Sequence, residues 1–242
     1  MYIALDENNE RVDINNVVSG KTYYCPVCRE QLLIRKGQIR KHHFAHLKEN
    51  ECTDSWKHDM TEWHLNWQEC FPIENREIVM RSEDEIHRTD IFTGETVIEF
   101  QHSPMSPEEF KERNEFYNDL GYKVIWVFDL TDEYSKGRIR CDEICGFIYF
   151  EWNIMGVPNP HKGKEKVFEK YDILNNRVEV FLQIADKDEK KAMVHVGKYA
   201  KSYWNKHSGW SFSRFPTQRF YSKDDFLKFV DGTFDNQENG WD

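Results

Sequence analysis

No stretch of the 242-residue chain approaches the roughly 18 consecutive apolar residues that a membrane-spanning helix needs, so a helical membrane protein is excluded. The opening Met1-Tyr2-Ile3-Ala4-Leu5-Asp6 has neither the basic flank nor the apolar stretch of a secretory signal, and a soluble, cytoplasmic protein is expected. An excess of positive charge is missing too. Lys and Arg number 33 against 43 Asp and Glu, which leaves −10 with His neutral, and the sequence pI is about 5.5. This balance argues against a protein that coats nucleic acid through its overall field, so any polyanion contact has to be local. No internal repeat or low-complexity tract is present. Cysteine is sparse, six in all, and in a chain without an export signal paired spacing points to metal rather than to disulfides.

What is present is material for a core: 39% apolar residues, with 17 Phe, 11 Tyr and 8 Trp. Length alone suggests one large domain or two smaller ones. Charge is distributed unevenly. From Lys21 to Lys48 run seven basic residues (Lys21, Arg29, Arg35, Lys36, Arg40, Lys41, Lys48) against the single acid Glu30, a local +6 on an acidic protein. Either a solvated basic face or a polyanion contact would produce that stretch.

The same stretch holds Cys25-Pro26-Val27-Cys28, then an apolar run to Gly37, then His42-His43-Phe44-Ala45-His46. Two thiolates two residues apart can grip one zinc from a single turn, and imidazoles returned by a hairpin around Lys36-Gly37 would complete a tetrahedron. Cys25, Cys28, His43 and His46 are the expected ligands, with His42 as the alternative to His43 because it gives a His-x3-His spacing. Four protein ligands leave no open position, so this zinc would be structural and would clamp a hairpin too small to fold alone. Pro26 between the thiols and the β-rich run that follows disfavour a redox pair. Cys52, Cys70, Cys141 and Cys145 have no partner at ligand spacing and read as buried thiols.

From Ser55 the pattern turns helical, with Trp56, Met60, Trp63, Trp67 and Cys70 on one buried stripe and Phe71-Pro72 as its end. Glu62 and His64 flank that stripe. A meander follows: Glu77–Arg81, Glu85–Phe92, a Thr93-Gly94 turn and Glu95–Gln101. Alternation places Glu99 and Gln101 on one face of their strand, and a Thr93-Gly94 loop puts Asp90 on the same face, one diagonal from Glu99. Ser106-Pro107-Glu108-Glu109 caps a helix through Arg113 and Tyr117 to Gly121, which feeds the apolar strand Lys123–Phe128. Helix, three strands, helix, strand implies a mixed sheet and an α/β (α+β) core.

These motifs resemble the competence protein CoiA-like family: Cys-Pro-x-Cys with His-Phe-Ala-His, Glu-Trp-His, His-Arg-x-Asp-Ile, Val-Ile-Glu-Phe-Gln-x-Ser, Arg-Asn-x-Phe-Tyr and Val-Ile-Trp-Val-Phe, over roughly residues 20 to 130. The resemblance implies a zinc ribbon ahead of a restriction-endonuclease-like PD-(D/E)xK nuclease core, in a family associated with DNA uptake and recombination in competent bacteria. Carried onto this chain, Asp90 matches the metal-binding Asp, Glu99 the second acid, Gln101 the position usually held by Lys, and Glu62 the acid of the first core helix. Arg113 and Tyr117 match the Arg and Tyr of the following helix. The implied division is residues 1–52 (β element and zinc ribbon), 53–140 (nuclease-like core) and 141–242 (a small C-terminal β-rich α+β extension).

A mechanism follows from the residue types. Asp90, Glu99 and the Phe100 carbonyl suit Mg²⁺ (or Mn²⁺), a hard cation that favours oxygen and keeps several waters. Gln101 would orient the attacking water, Glu62 would assist, and His87, Arg88 and Arg113 are candidates for contacting substrate phosphate. The leading expectation is therefore a metal-dependent DNA nuclease, with DNA and recombination proteins as candidate partners. A non-catalytic DNA-binding recombination accessory protein on the same fold is the alternative, because Gln101 stands where a lysine is usual. A purely protein-interacting zinc module would leave Asp90, Glu99 and Gln101 unexplained. Near the C-terminus, Lys198 to Lys206 interleaves bases with aromatics, as single-strand binding surfaces and amphipathic packing segments both do, and Ser222–Asp225 caps a short helix.

Overall fold

The computed structural model describes residues 1–37, 41–47, 52, 56, 61–144, 147–153, 176–185, 190–196, 201–205, 210–216 and 220–234. The chain divides into two compact units, one of Met1–Ser103 with Phe116–Val124 and one of Pro104–Glu115 with Ile125–Asp242.

In the first unit, β1 (Ile3–Leu5) pairs antiparallel with β2 (Arg11–Asp13), and β3 (Leu32–Arg35) pairs antiparallel with β4 (His43–His46). Short hairpins bury little apolar surface by themselves. These two share a core: Tyr2, Ala4, Ile14, Tyr23, Cys25, Val27, Leu32 and Phe44 pack with Leu65 of helix α1 (Glu62–Gln68). Thr61 caps α1, its hydroxyl accepting the His64 N–H. The helix therefore begins at Glu62, later than the tryptophan periodicity predicts. Trp56 lies outside it, stacked on His87 with ring centroids 3.3 Å apart, and Met60 falls outside the described residues.

Next come β5 (Val79–Arg81), β6 (Ile86–Arg88), β7 (Ile91–Thr93) and β8 (Thr96–Gln101). The predicted single strand from Glu85 to Phe92 is two strands. β6 pairs with β5 and β7 pairs with β8, and the pairing with the segment before β5 runs on across the break, where the Glu77 N–H bonds the Asp90 carbonyl at 2.9 Å and Ile91 bridges Arg76. The Thr89 N–H still bonds the Ile78 carbonyl at 2.9 Å. The turn also differs from expectation: Thr93 faces Thr96 and Phe92 faces Val97, so the loop is Gly94-Glu95, with Gly94 at φ 63°. That left-handed value is one glycine adopts without steric cost.

Helix α2 (Pro107–Asp119) then leads to β9 (Lys123–Asp129). The Lys123 N–H bonds the Glu95 carbonyl at 3.0 Å, so β9 starts beside the start of β8 and runs parallel to it. With β7 antiparallel to β8, the sheet is mixed. At the end of α2, Gly121 takes φ 88° and the Tyr122 N–H bonds the Tyr117 carbonyl at 3.0 Å.

In the second unit, Ser106 caps α2 as the sequence predicts, accepting the Glu109 N–H at 3.0 Å. The remainder of β9 lies beside β12 (Val178–Gln183), followed by β13 (Met193–Val196) and β16 (Phe220–Tyr221). Helix α3 (Thr131–Ser135) follows β9. A separate antiparallel sheet has the order β10 (Ile139–Ile144), β11 (Phe147–Asn153), β15 (Trp210–Pro216), β14 (Lys201–Asn205). Helix α4 (Lys223–Val230) begins with the predicted capping box of Ser222 and Asp225 and inserts Phe226 and Phe229 against Phe181. Of the aromatic-basic segment 198–206, only Lys201–Asn205 lies within the described residues, as β14.

Candidate functional site

The first site is built at the base of the β3–β4 hairpin. Cys25 and Cys28 lie on a tight knuckle: the Cys25 carbonyl accepts the Arg29 N–H at 3.0 Å, the Cys25 thiol accepts the Val27 N–H at 3.4 Å, and Arg29 takes φ 65°. Sγ and imidazole atoms of Cys25, Cys28, His46 and Cys52 lie within 4.8 Å of one another. A tetrahedral zinc with Zn–S of about 2.3 Å and Zn–N of about 2.0 Å separates two sulfurs by roughly 3.8 Å and a sulfur from a nitrogen by roughly 3.5 Å. The observed Cys25–Cys52 separation is 3.9 Å and Cys28 Sγ to His46 Nε2 is 3.3 Å, so this donor set fits zinc.

The fourth donor of this cluster is Cys52, where the sequence reading expected His43. Strand parity is the reason. In β4 successive side chains alternate, so His43 and His46 point to opposite faces. His43 instead places Nδ1 2.9 Å from the Lys41 carbonyl, and His42 is exposed. Cys52 was not recognisable because it comes after the second histidine, outside any Cys-x2-Cys or His-x2-His spacing. Burial pushes the Cys25 thiol up to about 12. A bound cation reverses that preference, since a coordinating thiol is deprotonated outright. Lys21, Arg29, Arg35, Lys36 and Lys41 of the basic stretch are exposed around this knuckle and hairpin.

The second site lies where β6 gives way to β7. The Asp90 carbonyl accepts the Glu77 N–H at 2.9 Å, while its carboxylate reaches toward β8. Oδ2 accepts the Phe100 N–H at 2.8 Å, the amide that joins Phe100 to Glu99. Extending the β7–β8 register by one residue sets Asp90 directly opposite Glu99 rather than one diagonal away. Glu99 is buried, and its Oε1 accepts the Tyr117 hydroxyl at 2.6 Å. Gln101 is buried on the same strand face and donates Nε2 to the Ser103 carbonyl at 2.6 Å. Helix α1 is seated on β8 by Trp67 stacked on Phe100, centroids 5.2 Å apart and planes 17° apart. That packing directs Gln68, 1% exposed, to Asp90, whose Oδ1 accepts from Gln68 Nε2 at 3.4 Å. No motif in the sequence distinguishes Gln68; only its place one residue after Trp67 on a packed helix does.

The other expected site residues take different positions. Glu62 is exposed on α1 and pairs with Lys41 at 3.5 Å. His87 is buried between the rings of Trp56 and Phe116, the latter 4.7 Å away edge-on. Arg88 sits 3.9 Å from the buried Glu77 carboxylate, which accepts the Tyr2 and Ile3 N–H groups at 2.8 and 3.1 Å. Arg113, in the second unit, is buried and pairs with Glu109 at 2.7 Å.

A Cys3His cluster whose spacing fits zinc, on a small β module followed by a mixed-sheet core, defines the class: a zinc-ribbon-like module ahead of an α/β core. The family described as Competence protein CoiA, N-terminal domain, matches residues 6–55, and Competence protein CoiA, nuclease-like domain, matches residues 57–144. Together they span more than half of the chain, which belongs to the competence protein CoiA-like family. No curated protein and no solved structure matches it. Among the described residues no helix is long and apolar enough to cross a membrane.

Proposed function

We propose that this chain is a metal-dependent deoxyribonuclease that hydrolyses phosphodiester bonds at the Asp90–Glu99 site. The observation that carries the proposal is the Asp90 carboxylate held against the Glu99–Phe100 peptide inside a nuclease-like domain. The donors such a site would use, the Asp90 and Glu99 carboxylates with the Phe100 carbonyl, are hard oxygens, which suits Mg²⁺ or Mn²⁺. Asp90 and Glu99 would hold the ion. When bound, it supplies Lewis acidity toward a phosphate oxygen and lowers the pKa of water.

The chain's own residues do the positioning. Tyr117 fixes Glu99 by a hydrogen bond of 2.6 Å, and the Phe100 N–H and Gln68 fix the two oxygens of Asp90. Gln101, whose amide nitrogen is engaged with Ser103, can orient a water through its carbonyl oxygen but cannot supply the positive charge of a lysine. The exposed cations around the zinc knuckle supply a local surface for the DNA backbone, in keeping with an otherwise acidic protein. A role in DNA uptake or recombination accords with the family.

A second reading rests on Gln101. Without a lysine the fold would bind DNA as a recombination accessory and not cut it. Labelled single- and double-stranded DNA incubated at low salt with Mg²⁺, Mn²⁺ or EDTA separates the two. Nuclease activity requires cleavage that needs the cation and is lost in Asp90→Ala and Glu99→Ala while both variants stay folded. Salt-sensitive binding without cleavage under either cation selects the accessory reading.

A further inference from the structure

We propose that Gln68 is the third protein oxygen donor of the cation site, contacting the ion directly or through one of its waters; this rests on the reading of Asp90 and Glu99 as cation ligands. Gln68 is 1% exposed, and its Oε1 is buried with no hydrogen-bond partner among the described residues. Buried carbonyl oxygens are nearly always paired, and an orphan commonly marks an absent water or ion. The neighbour on its amide is the Asp90 carboxylate, at 3.4 Å from Nε2. An ionised carboxylate only accepts hydrogen bonds. The species that would satisfy both a carboxylate and an adjacent amide oxygen is therefore positively charged or a donor, and a hard divalent cation with its retained waters is both.

The position is also rigid. Trp67, the preceding residue, is stacked on Phe100, the residue after Glu99, and α1 is capped at Thr61. Gln68 thus reaches the acids from a packed helix rather than from a loop, as a preorganised donor should. An amide also suits the site better than a third carboxylate. It adds an oxygen without adding charge, so the cation-free protein does not hold three anions together.

The test is Mn²⁺ binding to the zinc-loaded full chain, followed by the electron paramagnetic resonance signal of free Mn²⁺, with thermal melts in parallel. The parent, Asp90→Asn, Gln68→Met and Gln68→Glu are compared. Expected results are saturable binding by the parent, loss of binding in Asp90→Asn, and binding weakened at least about tenfold in Gln68→Met, the lower end of the loss typical of an outer partner. Gln68→Met loses the Nε2 hydrogen bond to Asp90 together with the orphaned oxygen, so its melt is read for the gain on adding Mn²⁺, which should be smaller than the parent's. Gln68→Glu should bind Mn²⁺ more tightly and melt lower without it.

Parent-like Mn²⁺ binding by both Gln68 variants, with Asp90→Asn inactive in binding, overturns the role of Gln68 and leaves the cation site standing. Equal binding by the parent and Asp90→Asn, or none by either, overturns the cation site itself and this inference with it. A Gln68→Met protein that does not fold leaves the decision to Gln68→Glu, where unchanged affinity refutes the proposal.

Discussion

Replacing Cys52 is the most discriminating perturbation of the zinc knuckle, because the sequence pattern favours His43 and the geometry favours Cys52. Cys52 Sγ lies 3.9 Å from Cys25 Sγ, close to the roughly 3.8 Å of two thiolates on one tetrahedral zinc, whereas His43 is committed to the Lys41 carbonyl. Losing a direct ligand should exceed the ten- to hundredfold affinity loss typical of an outer partner. At saturating zinc, each hundredfold loss removes about 2.7 kcal/mol of stabilisation. For a chain of this size that is a fall in melting temperature of roughly 5 to 10 °C. Cys52→Ala should therefore lose zinc to a moderate chelator, measured by chromophoric chelator competition, and melt lower. His43→Ala should keep zinc and melt within about 2 °C of the parent, as surface changes usually do. Zinc retained by Cys52→Ala and lost by His43→Ala would refute the assignment.

Glu77→Ala should cost about 3 to 5 kcal/mol in chemical denaturation, since it strands the Tyr2 and Ile3 N–H groups and leaves Arg88 without its carboxylate; a loss under 1 kcal/mol would count against the network. Tyr117→Phe removes a hydrogen bond to a charged group and should cost roughly 1.5 to 3 kcal/mol, with DNA cleavage falling further than stability does; unaltered cleavage in a folded variant would separate Tyr117 from the site. Asn114→Leu should cost about 1 to 3 kcal/mol, because Trp126 Nε1, 2.9 Å from the Asn114 oxygen, is left dry in the core. Adding Trp126→Phe should recover part of that loss in the same denaturation assay.

Local physics made much of this fold legible. The caps at Ser106 and Ser222 and the end of α2 at Gly121 depend on residues close in sequence, and the patterns predicted them. Two members of the Cys3His cluster were readable because the knuckle is one turn, and His46 because a hairpin returns it. The placement of Cys52 beside Cys25 and of Gln68 beside Asp90 was not, since each contact is made by tertiary packing. Register carried a similar penalty: moving the loop from Thr93-Gly94 to Gly94-Glu95 changes which residues face each other all along β7 and β8. The division at Thr89-Asp90 was hidden because a strand that gains a second partner at Ile91 has the same alternation as one that does not.

Two carboxylates in the first unit accept backbone N–H groups, and their surroundings explain why one is read as structural and the other as a site. Glu77 is 1% exposed, holds two N–H groups of the first strand region and has a guanidinium 3.9 Å away. Its charge is compensated within the protein, so it neither needs nor can readily admit an ion. Asp90 is less buried, and the donors on its oxygens, a peptide N–H and an amide, are neutral. Its register neighbour is a second acid, and the strand position that a lysine would charge is Gln101. Two facing carboxylates repel one another unless a cation lies between them. Gln101→Lys should accordingly weaken Mn²⁺ binding, because the ammonium takes over part of the compensation. The same titration that tests Gln68 reads this out, and tighter binding in Gln101→Lys would mean that the acids are compensated by some other group and that the charge argument for the site is wrong.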